Sequence, residues 1–84
     1  MMTLAEFSAT RREVSDLRSE IDGGEDLWES ATPGYVYDYA GAWFYIEKSP
    51  DGRAYLIICN RDWIGDLSEL EAHLYEYAHS EMTA

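Results

Sequence analysis

Residues 35–60 read YVYDYAGAWFYIEKSPDGRAYLIICN, and this stretch decides the fold. It holds three runs rich in aromatic and β-branched residues, the types that suit a pleated, half-buried surface. Tyr35–Tyr39 alternates, Ala42–Lys48 is dense in aromatic residues, and Arg53–Asn60 carries Tyr-Leu-Ile-Ile-Cys. Ala40-Gly41 supplies a tight turn or bulge between the first two runs. Ser49-Pro50-Asp51-Gly52 supplies a hairpin loop between the last two. A three-stranded antiparallel meander is the expected assembly. Alternation along the strands puts Phe44 and Ile46 on one face and Trp43, Tyr45 and Glu47 on the other. Tyr35, Tyr37 and Tyr39 share a face, and the third run divides into Tyr55, Ile57, Cys59 and Ala54, Leu56, Ile58. Both faces are therefore partly apolar. Helices covering only one of them leave Tyr and Trp exposed on the other, and exposed aromatic patches mark protein contact surfaces. Helices on opposite faces leave no such patch.

Working outward, both flanks predict helices. Thr3 and Glu6 have the spacing of a capping box, and Leu4, Phe7, Val14, Leu17 and Ile21 fall on one stripe. A single helix ending at Gly23-Gly24 is expected from this periodicity. Residues 25–34 then form a connector closed by the turn signal Pro33-Gly34. At the other end Asp66 and Glu69 suggest a second cap, followed by an apolar stripe of Leu67, Leu70, Leu74, Tyr77 and Ala78. The expected fold is a single α+β domain over residues 1–84, in the order α-β-β-β-α. It has a three-stranded antiparallel sheet and two helices packed on it.

Charge narrows the function. Seventeen acidic residues against six basic ones give the 84-residue chain a formal net charge of -11. Hydrophobic residues at 46% and aromatic residues at 14% are too abundant for a disordered acidic tail. Direct binding to DNA, RNA or an anionic membrane needs a basic footprint that this chain does not have. Residues 1–20 contain no apolar run of the signal-peptide kind, and a cytoplasmic location is expected. The single Cys59 cannot form an internal disulfide and is expected in the core. The acids are also segregated. Seven lie between Arg18 and Lys48, and six follow Arg61, with no base in either segment. Such a field steers toward positive surfaces.

Catalytic signatures are missing. There is no Gly-rich phosphate loop, no Gly-x-Ser-x-Gly elbow and no Cys/His zinc spacing. His73 and His79, six apart on a helix, face opposite ways and are expected at the surface. No enzymatic activity, cofactor or metal is expected. A basic protein partner is, with self-association through the Tyr/Trp sheet face as the rival. The chain is then a monomer or a homodimer.

The candidate interface lies at and beyond the start of the second helix. Asp62, Asp66, Glu69 and Glu76 supply negative charge there, and Trp63, expected in the loop before the helix, supplies either a binding anchor or a core plug. Glu69 and Glu76 lie seven residues apart, ~10 Å along one helix face. That distance is about three phosphate steps of a DNA strand.

In its small size, its acidity, the hairpin segment Trp43–Lys48 and the acidic stretch Asn60–Asp66, the chain resembles the phage-encoded anti-CRISPR proteins. The resemblance implies a non-catalytic inhibitor, acting in the host bacterial cytoplasm, that occludes the basic DNA-entry or PAM-reading surface of a type I Cas surveillance complex (Cascade). The same physics fits an anti-restriction DNA mimic, or an antitoxin or immunity protein set against a basic toxin.

Overall fold

The computed structural model describes residues 1–58 and 60–84. Cys59, expected in the core, lies outside the described residues. Four helices, α1 (Leu4–Ala9), α2 (Leu17–Glu20), α3 (Gly24–Leu27) and α4 (Leu67–Thr83), accompany five strands among the described residues. The strands β1 (Arg12–Val14), β2 (Gly34–Tyr39), β3 (Ala42–Lys48), β4 (Ala54–Ile58) and β5 (Arg61–Gly65) form one antiparallel sheet in sequential order. The α+β class and the meander through residues 35–58 hold. The sheet has five strands rather than three.

The two additional strands come from segments with weak β patterns. At the N-terminal side the expected long helix stops after Ala9. The Thr3–Glu6 capping box forms, with Glu6 N–H donating to Thr3 Oγ1 at 3.1 Å and Thr3 N–H to Glu6 Oε1 at 2.8 Å. Thr10 then ends the helix, its hydroxyl donating to the Phe7 carbonyl at 2.7 Å and accepting the β2 amide of Asp38 at 3.0 Å. Short polar side chains that bond nearby backbone in this way compete with the helical ladder. Residues 12–14 therefore pair with β2, in the register Arg12↔Val36 to Val14↔Gly34. Asp16 restarts a short helix, accepting from the Arg18 amide at 3.0 Å.

This break carries the chain around the edge of the sheet. Phe7, on α1, is fully buried with Tyr37, Ile46, Leu56, Leu70 and Leu74 on the face covered by α4, and it stacks on Tyr37 at 4.9 Å between ring centroids. Leu17, on α2, is fully buried on the opposite, outer face against Gly34. One expected apolar stripe thus serves two faces. Gly34 allows this close approach. A Cβ there would sit 2.5 Å from the Ile46 carbonyl oxygen and 2.7 Å from Leu17 Cδ1. Gly34→Ala is accordingly expected to cost about 2 kcal/mol or more, read as a lower urea midpoint at unchanged slope.

At the other end, Arg61–Gly65 is a strand paired with β4 from Ala54↔Gly65 to Ile58↔Arg61. Asn60, with φ 69°, turns the chain into it. The two-residue turn between β2 and β3 is the expected Ala40-Gly41, both at positive φ, with Gly41 N–H donating to Asp38 Oδ1 at 2.7 Å. This is the hairpin turn whose twist matches the strands.

Glu71 lies inside rather than on the acidic surface. It is only 5% exposed. Its carboxylate accepts from Ser8 Oγ at 2.9 Å, Arg11 Nη1 at 2.8 Å and the Tyr37 hydroxyl at 2.5 Å. The contact joins α1, β2 and α4. Burial first, and then the bond to Glu71, push the Tyr37 phenol well above its ordinary pKa. The same carboxylate raises the pKa of Arg11.

Candidate functional site

The register settles which way each β5 side chain points. Trp63 pairs with Leu56 and faces α4, whereas Asp62 pairs with Ile57 and faces outward. Trp63 is thus in a strand, not in a loop before the helix. It is half-buried between the His73 ring, stacked at 4.7 Å, and the Arg61 guanidinium, 5.0 Å from the ring centroid. Glu76 borders the same hollow, of about 430 Å³. Asp62 is exposed on the far face, where it accepts from the Tyr55 hydroxyl at 3.1 Å. That bond, with a smaller contribution from partial desolvation, raises the Tyr55 pKa.

Asp66 occupies the N-cap of α4, but its side chain makes no capping bond. Its exposed carboxylate is left at the helix N-terminus, where the dipole favours negative charge. Glu69 and Glu76 are exposed along α4. The five candidate residues therefore do not form one patch. Trp63 and Glu76 belong together on the helix side, Asp62 belongs to the outer sheet face, and Asp66 lies at the junction.

The histidines also differ from expectation. Both are half-buried rather than at the surface. His73 packs on Trp63, while His79 stacks on Tyr75 at 5.5 Å and shares a hydrogen bond with Tyr39 at 2.7 Å. No group of three or more His, Cys, Asp or Glu side chains among the described residues is arranged to hold a metal ion.

The outer sheet face is covered on one side only. The segment from Asp16 to Trp28 lies over the β2–β3 side, where the Trp28 indole N–H donates to Glu47 at 3.0 Å and its ring meets Tyr45 edge-on at 5.1 Å. Trp43, Ile57 and Ile64 are left 56%, 54% and 57% exposed. Strand alternation separates Trp43 from Phe44 and Ile57 from Leu56 in the sequence, and the β3–β4 register brings Trp43 and Ile57 to one face. Ile64 is missed with β5, although the residues Arg61-Asp62-Trp63-Ile64 alternate between faces as a strand does. Acids edge this apolar surface. Glu20 and Asp22 share a hollow with Trp43, and Asp62 neighbours Ile57 across the β4–β5 pair.

Most of the positive charge is engaged with acids. Arg11 meets Glu71 at 2.8 Å, Arg12 meets Glu20 at 2.9 Å, Arg18 meets Asp16 at 3.0 Å and Lys48 meets Glu13 at 3.5 Å. Four of six bases are used in this way, and Arg61 lies over Trp63. Asp22, Glu25, Asp26, Glu29, Asp66 and Glu76 remain exposed, and no ion pair is described for any of them.

Asp16 holds α2 to the connector, since its carboxylate binds the Arg18 guanidinium and also accepts from the Thr32 amide at 3.3 Å. The Arg18 side-chain bond, with backbone amides assisting, pulls the Asp16 pKa down to about 2. A depressed folded-state pKa stabilises the fold above the unfolded value of about 4, and that contribution is lost as pH falls through about 2. The melting temperature between about pH 5 and pH 2 is therefore expected to fall more steeply for the wild type than for Asp16→Asn.

No family model, curated protein or solved structure matches the chain. No helix among the described residues is long and apolar enough to cross a membrane.

Proposed function

We propose that this chain is a non-catalytic inhibitor that binds a basic, nucleic-acid-handling complex and blocks its access to DNA. The observation that carries this reading is the disposition of charge. Four of the six bases are tied to acids within the fold, which leaves the surface field negative. A domain with that field repels itself and is drawn to positive surfaces, where association is steered by charge. The docking side best supported is the outer sheet face. It offers an apolar centre of Trp43, Ile57 and Ile64 with Asp22 and Asp62 at its margin, and interfaces favour such a centre with a charged rim. Trp63 then serves to seat α4, while Asp62 and Asp66 contribute to binding.

In its most specific form the target is the DNA-entry surface of a type I Cas surveillance complex. An anti-restriction DNA mimic or an antitoxin uses the same surface against a different target. Phage plating tests the specific form. Expression of the chain in hosts carrying type I CRISPR systems is expected to restore plating of a targeted phage in at least one subtype. Unchanged plating in every subtype, with the protein present and folded, would remove that form.

The exposed Trp43, Ile57 and Ile64 also favour a second reading, a homodimeric adaptor joined through the outer face. Salt separates the two. Charge-steered binding weakens as ionic strength rises, whereas an apolar dimer in sedimentation does not.

A further inference from the structure

The outer face carries a groove that the charge argument does not use. Glu47, Tyr55 and Ile64 form one row across β3, β4 and β5, through the pairs Glu47↔Tyr55 and Tyr55↔Ile64. This row borders a cavity of about 630 Å³ that is also lined by Pro33 and Pro50. The size is within the range of small-molecule sites, about 300–1,000 Å³, and the hollow is open to solvent, with room for a long side chain.

The chemistry of the lining is specific. Pro33, Pro50 and Ile64 present apolar surface, and Tyr55 presents an aromatic ring. Glu47 adds a carboxylate that accepts the Trp28 indole through Oε1, while no hydrogen bond is described for its Oε2. Asp62 accepts from the Tyr55 hydroxyl and fixes the ring, but it does not itself line the cavity. Lys48 also borders the cavity, but its ammonium is paired with Glu13. Apolar walls, an aromatic ring and the Glu47 carboxylate together suit a long aliphatic stem ending in a planar cation. A guanidinium meets all three, because it is weakly hydrated, stacks on aromatic rings and donates in a fork to carboxylates. A lysine ammonium is a more strongly hydrated point charge and gains less from the ring.

We infer that this groove seats an arginine side chain of the partner protein. The inference deepens the reading above, in which the partner is basic, and gives that partner a defined anchor: an arginine in an exposed segment. The charge supplies attraction at a distance, and the groove supplies register.

The test is a nuclear magnetic resonance titration of the full isotope-labelled chain with the probe acetyl-Gly-Arg-Gly-amide. The control is the same peptide with citrulline, which keeps the shape and removes the charge. The arginine probe is expected to shift the Glu47, Tyr55 and Ile64 amides saturably, with citrulline binding at least about tenfold more weakly. Glu47→Gln keeps an oxygen for Trp28 and is expected to lower arginine affinity by a similar factor while leaving citrulline binding unchanged. Tyr55→Leu, which keeps an apolar lining, is expected to weaken the arginine probe as well. Equal binding of the two peptides, or shifts confined to acids outside the groove, would overturn the inference. Partner binding that is lost in Asp62→Lys but unchanged in Glu47→Gln and Tyr55→Leu would also overturn it, leaving the inhibitor reading intact. Arginine seated in the groove without any competition with DNA would leave the groove standing and remove the inhibitor reading.

Discussion

Glu71→Ala is expected to destabilise the fold by about 3 kcal/mol, the largest effect of any single acidic substitution. In a domain of this size that corresponds to a fall in melting temperature of roughly 12–24 °C. The reason lies in what the carboxylate holds. It accepts from Ser8, Arg11 and Tyr37, and the Tyr37 side chain is fully buried. Removing it strands a buried hydroxyl, opens space beneath α1 and leaves Arg11 without its ion-pair partner. Glu71→Gln is expected to fall between the two, because one amide oxygen still serves Tyr37 while the charge for Arg11 is lost. Glu76→Ala provides the contrast on the same helix. Glu76 is exposed, and its removal is expected to change stability by no more than about 0.5 kcal/mol. Thermal unfolding followed by circular dichroism measures all three. A Glu71→Ala protein as stable as Glu76→Ala would contradict the role assigned to the buried carboxylate.

The second large effect is on binding. Reversing Asp62 and Asp66 together to Lys is expected to weaken partner affinity at least about tenfold, or about 1.4 kcal/mol. Both sites tolerate the change structurally. Asp62 is exposed and gives up one bond to Tyr55, and Asp66 makes no capping bond to lose. The loss of a favourable charge at the α4 N-terminus costs about 0.3–1 kcal/mol of stability. Most of the change then appears in association rate and in its salt dependence. Position also discriminates between faces. Because Asp62 is on the outer sheet face and Glu76 borders the helix-side hollow, Asp62→Lys is expected to weaken binding more than Glu76→Lys. The reverse order would move the docking side to α4.

How far the fold could be read from sequence depended on the density of pattern in each segment. Tyr35–Ile58 and the apolar stripe of α4 were legible because period-2 and period-3.6 signals were dense there. The Thr3–Glu6 cap was legible for the same local reason. The N-terminal segment misled because Leu4, Phe7, Val14, Leu17 and Ile21 have helical spacing, yet Phe7 and Leu17 bury on opposite faces of the sheet. Pattern cannot distinguish a stripe on one helix from two anchors that wrap an edge. The signals that favoured the break were Thr10 and Asp16, polar residues able to end and restart a helix. β5 was obscured by its short, charged sequence, whose pairing depends on β4 rather than on its own propensity. Glu71 was unreadable as a buried residue, since its partners Ser8, Arg11 and Tyr37 come from distant parts of the chain. The candidate site was legible as a composition of charges but not as a place. Asp62 and Trp63 are adjacent in sequence but strand alternation divides them between two faces, and Glu76 reaches Trp63 only through the packing of α4 on the sheet.

The central claim is that the acidic surface occupies a basic site in place of DNA. Equilibrium binding of a target DNA duplex to purified type I surveillance complexes, with and without the chain, tests it most directly. The account predicts that in at least one subtype the chain displaces DNA at near-stoichiometric concentration. It also predicts that displacement weakens as salt rises and is lost in the Asp62→Lys, Asp66→Lys protein. DNA retained undiminished by every complex, or displacement unaffected by charge reversal and by salt, would contradict it.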